Sequence, residues 1–307
     1  MSLNPQDYAI ILLNVSLGKS EQSQVKPLSN AEWTRFAIWM RDHKLNPADL
    51  IQGDIQEILA DWKDRSITLD RVRVLLARGG ALGLVLEKWT RSGLWVITRS
   101  DPRYPRKLKA KLRTNSPPVI FGCGDVSLLN SGGMAIVGSR NAEEADLRFT
   151  REIGRLAASE GVCVVSGGAR GVDETAMLGA LESDGQAVGV LGDNLLRACL
   201  SGKYRNRLAD GNLVLITPFN PEEGFKVANA MARNKYIYCL ADDALVVTSA
   251  PNKGGTWSGA VEDLRHSWVP LWVRQSEHMA LGNKKLVEQG GRWFPEGLKS
   301  LKELRPA

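Results

Sequence analysis

The second half of the chain alternates short apolar runs with helical segments, and no other feature of the sequence restricts the fold as strongly. Strands that are separated by helices pair in parallel, and the helices then cover both faces of the sheet. We therefore expect an α/β fold with a doubly wound, mostly parallel sheet. The predicted strands are 134–140, 162–168, 186–193, 213–219, 244–250 and 269–274.

The first part of the chain has a different pattern. Apolar residues recur with helical spacing over much of 1–97, and Ser29 and Asn30 precede the run AEW as a helix-start signal. We predict a small all-α N-terminal domain over 1–97 and the sheet domain over 98–275. For 276–307 we expect a short C-terminal extension with one short helix and no winged helix.

Charge is distributed unevenly along the chain. The whole sequence has 40 Lys and Arg against 34 Asp and Glu, but residues 132–275 hold 15 basic and 17 acidic residues. An anion site in the sheet domain must therefore use backbone dipoles and a few placed cations. Residues 101–131 are basic, and the two prolines of SDPRYPRKL disfavour regular helix there. This basic segment is either an extra anion-contact surface or a solvated domain joint; its cations include Arg106, Lys107, Lys109 and Lys111.

Cysteine and histidine spacing argues against a metal site. The four cysteines lie 36 to 40 residues apart, and the three histidines form no HxxxH or HxH pattern. We expect no metal and no cofactor. The chain also shows no basic-then-apolar signal and no apolar run long enough to span a membrane. We therefore expect a cytoplasmic protein with reduced thiols.

Glycines and cations cluster where three predicted strands end. In doubly wound sheets, ligands bind beyond the carboxyl ends of the strands, where free helix N-terminal amides attract anions. Three such turns predict a phosphate site, although glycine in one turn can also reflect tight packing alone. The predicted site residues are Gly138, Ser139 and Arg140 in the first turn, Ser166, Gly167, Gly168, Arg170, Gly171 and Asp173 in the second, Lys253, Gly254, Gly255 and Thr256 in the third, and Arg233, Asn234 and Lys235 on a helix.

Chemistry suggests individual roles for these residues. Arg140 can form a bidentate contact with a phosphate, and Asp173 is expected to cap a helix or orient an arginine. Arg233 and Lys235 lie two residues apart on a helix, so we expect only one of them to face the ligand. Trp257 follows the third turn and either packs in the core or stacks on an unpaired base.

The motifs IVGSR, VVSGGARGVDETAMLGAL, VLGD, AMARNKYIYCLAD and GGTWSGAVE occur in the order found in the DNA-processing protein A (DprA/Smf) family. The resemblance covers roughly 95–275. It implies an extended Rossmann-like domain that binds single-stranded DNA as a homodimer, protects it, and helps to load a RecA-type recombinase during DNA recombination and natural transformation of competent cells. The family is not known for catalytic turnover. The chain departs from the family pattern at Gly168 and Met177, which indicates a divergent branch.

Two other functions fit the same sequence. Related Rossmann-like proteins include nucleoside monophosphate phosphoribohydrolases, and GGTWSGAVE resembles their GG-x-GT-x-x-E pattern, with Glu262 as a candidate general acid or base. Glu262 lies six residues after Thr256 rather than three, which places it nearly two helical turns away. The third interpretation is a nucleotide-binding or DNA sensor in a defence system.

Overall fold

The computed structural model describes residues 3–17, 25–275 and 280–304. The chain forms two compact units whose segments alternate along the sequence. The first unit comprises Met1–Tyr104, Leu112–Phe121 and Pro218–Asn220, and the second comprises Pro105–Lys111, Gly122–Thr217 and Pro221–Ala307. The domain limits expected from the sequence stay a prediction.

The first unit is mainly helical, as the spacing of its apolar residues predicts. Ser29 caps the second helix in a capping box, because its Oγ accepts the Glu32 N–H at 3.3 Å and its own N–H donates to the Glu32 carboxylate at 2.8 Å. Phe36 and Leu75 are completely buried in the core. The elements of this unit are α1 Pro5–Asn14, α2 Asn30–Asp42, α3 Asp49–Gln52, α4 Ile55–Ile58, α5 Leu69–Leu76, α6 Gly79–Arg91 and β1 Leu94–Thr98; β2 Val119–Gly124 begins in it.

The second unit alternates strands and helices. Six of its strands lie within the six apolar runs that the sequence singles out, apart from one residue at the start of the fifth. Its helices are α7 Arg106–Leu112, α8 Glu144–Ser159, α9 Val172–Leu181, α10 Leu195–Cys199, α11 Gly202–Ala209, α12 Val227–Ala232, α13 Asn234–Leu240, α14 Gly254–His266 and α15 Leu281–Glu288. Its strands are β3 Met134–Val137, β4 Val164–Ser166, β5 Ala187–Val190, β6 Leu213–Thr217, β7 Asp243–Val246, β8 Leu271–Val273 and β9 Arg292–Trp293.

The strands of the second unit form a parallel sheet in the order β6-β5-β4-β3-β7-β8-β9. Each described neighbouring pair is parallel; Ala135 on β3, for example, lies opposite Val165 on β4 and Ala244 on β7. The sheet therefore grows in one direction from β3 to β6 and in the other from β7 to β9. This confirms the doubly wound α/β fold, and it places the topological switch point, where such sheets bind ligands, between β3 and β7.

Two glycines allow close packing between α8, which precedes β4, and α9, which follows it. A Cβ atom added to Gly154 of α8 would lie 2.7 Å from the Ala176 carbonyl oxygen of α9. A Cβ atom added to Gly179 of α9 would lie 2.8 Å from the Arg151 carbonyl oxygen of α8. The backbones of α8 and α9 are therefore in direct contact. This packing sets the position of the N-terminus of α9, which adjoins the second glycine turn.

Three local features differ from the sequence prediction. Between β6 and β7, where the alternating pattern predicts one helical segment, the chain forms two helices, α12 and α13, which meet at Arg233. The segment after β8 contributes α15 and also β9, which pairs with β8 and was not predicted. Regular helix begins at Arg106, directly after the second proline of the basic segment, because proline restricts the residues before it more than those after it. None of the described helices is long and apolar enough to cross a membrane.

Candidate functional site

Two adjoining cavities open beyond the carboxyl ends of the strands in the second unit. The first cavity, of about 410 Å³, is lined by the turns that follow β3 and β7. The second cavity, of about 290 Å³, is lined by the turns that follow β4 and β5. Arg140, Phe225 and Arg233 line both cavities and so form a wall that the two share. The first cavity lies at the switch point of the sheet.

The structure brings most of the predicted site residues to these cavities. The three glycine turns open onto two cavities rather than one: the glycines of the first and third turns line the first cavity, and Gly167 and Gly168 of the second turn line the second. Three of the predicted site residues line neither of the described cavities: Ser166, Gly171 and Lys235. The first cavity is lined by Gly138, Ser139, Arg140, Asp173, Arg233, Asn234, Lys253, Gly254, Gly255 and Thr256, and the second by Gly167, Gly168, Arg170, Arg140 and Arg233.

Arg140 stands on the shared wall with its side chain exposed. Its guanidinium carbon lies 4.9 Å from the centre of the Phe225 ring, within the range of a cation–π contact. Phe225 itself is 49% exposed, which is unusual for a phenylalanine. Sequence reasoning missed Phe225; the available signal was a lone aromatic residue in the polar segment NPEEGFK. The Arg140 guanidinium thus lies over the ring of an exposed phenylalanine, and both residues line the two cavities.

A buried ion pair between Arg233 and Asp173 lies beneath the exposed residues of the shared wall. Arg233 and Asp173 are 5% and 7% exposed, and their Nη2 and Oδ2 atoms are 3.5 Å apart. A Cβ atom on Gly167 would lie 1.7 Å from Arg233 Nη1, so glycine leaves the space that the guanidinium occupies. Burial raises the pKa of Asp173, whereas Arg233 and the backbone N–H groups of Gly138 and Gly167 lower it. Those two N–H groups therefore donate hydrogen bonds to the Asp173 carboxylate, although the sequence predicted them as phosphate donors.

Several predicted polar groups hold the turns together. The Thr256 hydroxyl donates to the Gly138 carbonyl at 2.9 Å and joins the third turn to the first. Asn234 Nδ2 donates to the Gly255 carbonyl at 2.9 Å, and the buried Ser166 hydroxyl donates to the Ile136 carbonyl at 2.6 Å. These contacts place the cavity walls; a role in ligand contact for the same residues stays a prediction.

The structure distinguishes between alternatives that the sequence left open for one aromatic residue and two basic residues. Trp257 is 8% exposed and belongs to the core, so of its two alternatives the structure agrees with packing rather than stacking on a base. Arg233 lines both cavities, whereas Lys235 lines neither and its Nζ lies 5.3 Å from the centre of the Tyr236 ring. Lys253 is exposed at the first cavity.

The basic segment offers fewer free cations than its sequence indicates. Lys107 forms an ion pair with Asp242, and Lys111 donates to the Ala241 carbonyl at 2.9 Å. Arg106 and Lys109 are exposed. Two of the four cations thus have structural partners.

The catalytic alternative finds little support in the geometry. Glu262 lies in the middle of α14 and is not among the described residues that line either cavity. Within the described ranges, no group of three or more His, Cys, Asp or Glu residues is arranged to hold a metal ion. The cavities are instead supplied with arginines and glycine turns.

Comparisons with known proteins agree with this arrangement. The model of the family described as DNA recombination-mediator protein A matches residues 95–305. Protein Smf of Synechocystis sp. is 30% identical over 249 residues, which cover 74% of this chain and 61% of that protein, so the chain spans less than two thirds of that relative.

Two solved structures share the fold. DNA processing protein A from Streptococcus pneumoniae superposes with a TM-score of 0.74 at 16% identity and covers 99% of this chain and 98% of that one. DNA processing protein A from Helicobacter pylori, described for its single-stranded DNA binding mode, superposes with a TM-score of 0.54 at 23% identity. That match covers 66% of this chain and 91% of the Helicobacter pylori chain. Because the family model matches well over half of the sequence, the chain belongs to the DNA recombination-mediator protein A family.

Proposed function

We propose that this protein binds single-stranded DNA along the first cavity and the Arg140–Phe225 wall. The pairing of an exposed cation with an exposed aromatic ring carries the proposal. An unpaired strand presents phosphates and bases in alternation, so one residue of this pair can bind a phosphate while its neighbour stacks on a base. Duplex DNA keeps its bases stacked inside the helix, so it cannot use the aromatic face.

Family membership supports a role in recombination. We propose that the protein acts as a homodimer, protects single-stranded DNA and delivers it to a RecA-type recombinase, in DNA uptake or in recombination. The single-stranded DNA binding described for the Helicobacter pylori protein agrees with this proposal. A nucleotide sensor or a phosphoribohydrolase-like enzyme is the second candidate, since the glycine turns also suit a mononucleotide.

A binding comparison tests the proposal. We expect oligo-dT of about 20 nucleotides to bind more tightly than a duplex of equal length or thymidine monophosphate, as measured by fluorescence anisotropy and by competition. Phe225→Ala should weaken oligo-dT binding about tenfold through loss of one stacked base. Leu200→Ala is the matched control, because Leu200 is 64% exposed and does not line the described cavities.

Other outcomes favour the alternative. Tight binding of the mononucleotide without oligonucleotide binding contradicts the proposal. Release of base from a nucleoside monophosphate that disappears in Glu262→Gln assigns the protein to the enzyme class instead.

A further inference from the structure

The second cavity is lined by two buried polar side chains that each carry unpaired polar atoms. Tyr204 of α11 and Arg233 are each 5% exposed and line this cavity. Among the residues that the structure describes, the Tyr204 hydroxyl and the Arg233 Nε and Nη1 atoms have no hydrogen-bond partner. Buried polar groups in folded proteins are nearly always paired, so these atoms are available to hydrogen-bond a group that enters the cavity.

These unpaired groups flank one turn of the backbone. A Cβ atom on Gly167 would lie 1.7 Å from Arg233 Nη1, and one on Gly168 would lie 3.9 Å from the Tyr204 hydroxyl oxygen. Gly168 has a φ of +64°, a conformation that glycine adopts without strain. Burial raises the pKa of Tyr204 to about 12, so its hydroxyl keeps its proton at neutral pH and can donate.

The charge of the second cavity is positive. Arg140, Arg170 and Arg233 line it, and Asp193 is the acidic residue among its lining residues. Asp173 lies against Arg233 and offsets part of its charge. Arg140 and Arg170 are exposed and form no ion pair within the described part of the chain. The second cavity therefore combines exposed cations with buried donors.

We propose that the second cavity binds the terminal phosphate monoester of a single-stranded DNA end. A monoester carries a charge of about −1.5 to −2 at pH 7, whereas an internal phosphodiester carries one negative charge, so the extra arginines favour the end of a strand. A cavity of 290 Å³ beside the first cavity accommodates a terminal nucleotide whose neighbours continue across the Arg140–Phe225 wall. This inference rests on the proposed binding of single-stranded DNA.

Three oligonucleotides test the inference and identify the end. The probes are internally labelled oligo-dT with a 5′-phosphate, with a 3′-phosphate, or with hydroxyl groups at both ends. We expect one phosphorylated probe to bind about tenfold more tightly than the hydroxyl probe, the effect of one or two charge-assisted hydrogen bonds. The phosphorylated probe that gains affinity shows which end the cavity accepts.

Two variants connect this preference to the cavity. Tyr204→Phe should abolish the preference, leave the affinity for the hydroxyl probe unchanged, and leave the melting temperature unchanged or higher, because it removes an unpaired buried hydroxyl. Arg170→Ala should reduce the preference severalfold. Arg205→Ala is the matched control, since Arg205 is exposed on the same helix as Tyr204 but does not line the cavity.

Failure of this inference differs from failure of the proposed function. Equal affinity of the wild-type protein for all three probes overturns the end site and leaves single-stranded DNA binding intact. A preference that persists in Tyr204→Phe also overturns the assignment to this cavity. Absence of binding to every probe overturns both proposals together.

Discussion

Replacing Asp173 with leucine is expected to lower the free energy of unfolding by about 3 to 5 kcal/mol, because it leaves the Arg233 guanidinium buried without its counter-charge. Arg233→Met should have a smaller effect, since the remaining Asp173 carboxyl still faces the N–H groups of Gly138 and Gly167, and burial raises its pKa so that it can bind a proton. The double variant should recover about 2 kcal/mol or more of the summed loss. Urea unfolding of the four proteins gives this coupling free energy.

An exposed ion pair provides the control for this cycle. Arg148 and Glu144 on α8 are 3.9 Å apart, with more than half of each side chain exposed, and their coupling should be below about 0.5 kcal/mol. If Asp173→Leu unfolds within about 0.5 kcal/mol of the wild type, or if the two substitutions are additive, the buried pair does not organise the floor of the site.

Gly171→Ala is expected to lower the free energy of unfolding by about 3 kcal/mol and to weaken DNA binding at the same time. Gly171 has a φ of +92°, and a Cβ atom there would lie 2.5 Å from the Ser139 carbonyl oxygen and 2.9 Å from Arg140 Cα. The substitution therefore forces the first turn, which carries Arg140, away from α9. Chemical unfolding and oligo-dT anisotropy measure the two effects.

Gly161→Ala is the control that separates the effect of backbone strain from that of a steric clash. Gly161 has a φ of +67°, also in the left-handed region, but no atom lies within 4 Å of its added Cβ. The Gly161→Ala variant should therefore lose only about 1 kcal/mol of its free energy of unfolding and bind oligo-dT as the wild type does. Equal effects of the two substitutions would show that the close contact between Gly171 and the first turn is unimportant.

The strand pattern was predictable because each buried parallel strand is a local apolar run between helices. The alternation locates β3 to β8 to within a few residues, and glycine turns mark the carboxyl ends. The two-residue strand β9 was not predictable, because Arg292 and Trp293 form no apolar run and pair only through their contact with β8. The order of the strands follows from tertiary pairing, which no short segment encodes.

The candidate site was predictable in its composition but not in its contacts. Asp173 and Arg233 lie 60 residues apart in sequence, so their ion pair appears only when α9 and the junction of α12 and α13 are placed. Trp257 occupies the first turns of α14, where the pattern alone does not tell a core position from an exposed one. Phe225 was missed because it lies in a polar loop outside every motif, although it is the accessible aromatic residue at the site.

The salt dependence of oligo-dT binding by the wild-type protein and by Arg140→Ala tests the central claim most directly. Single-stranded DNA binding through phosphate contacts gives an affinity that falls steeply with salt, with a slope of about −0.7 per phosphate neutralised. We expect Arg140→Ala to reduce the affinity about tenfold or more and the magnitude of the slope by about 0.7, with an unchanged melting temperature because Arg140 is exposed. Equal affinities and equal slopes for the two proteins would contradict binding of single-stranded DNA at this wall.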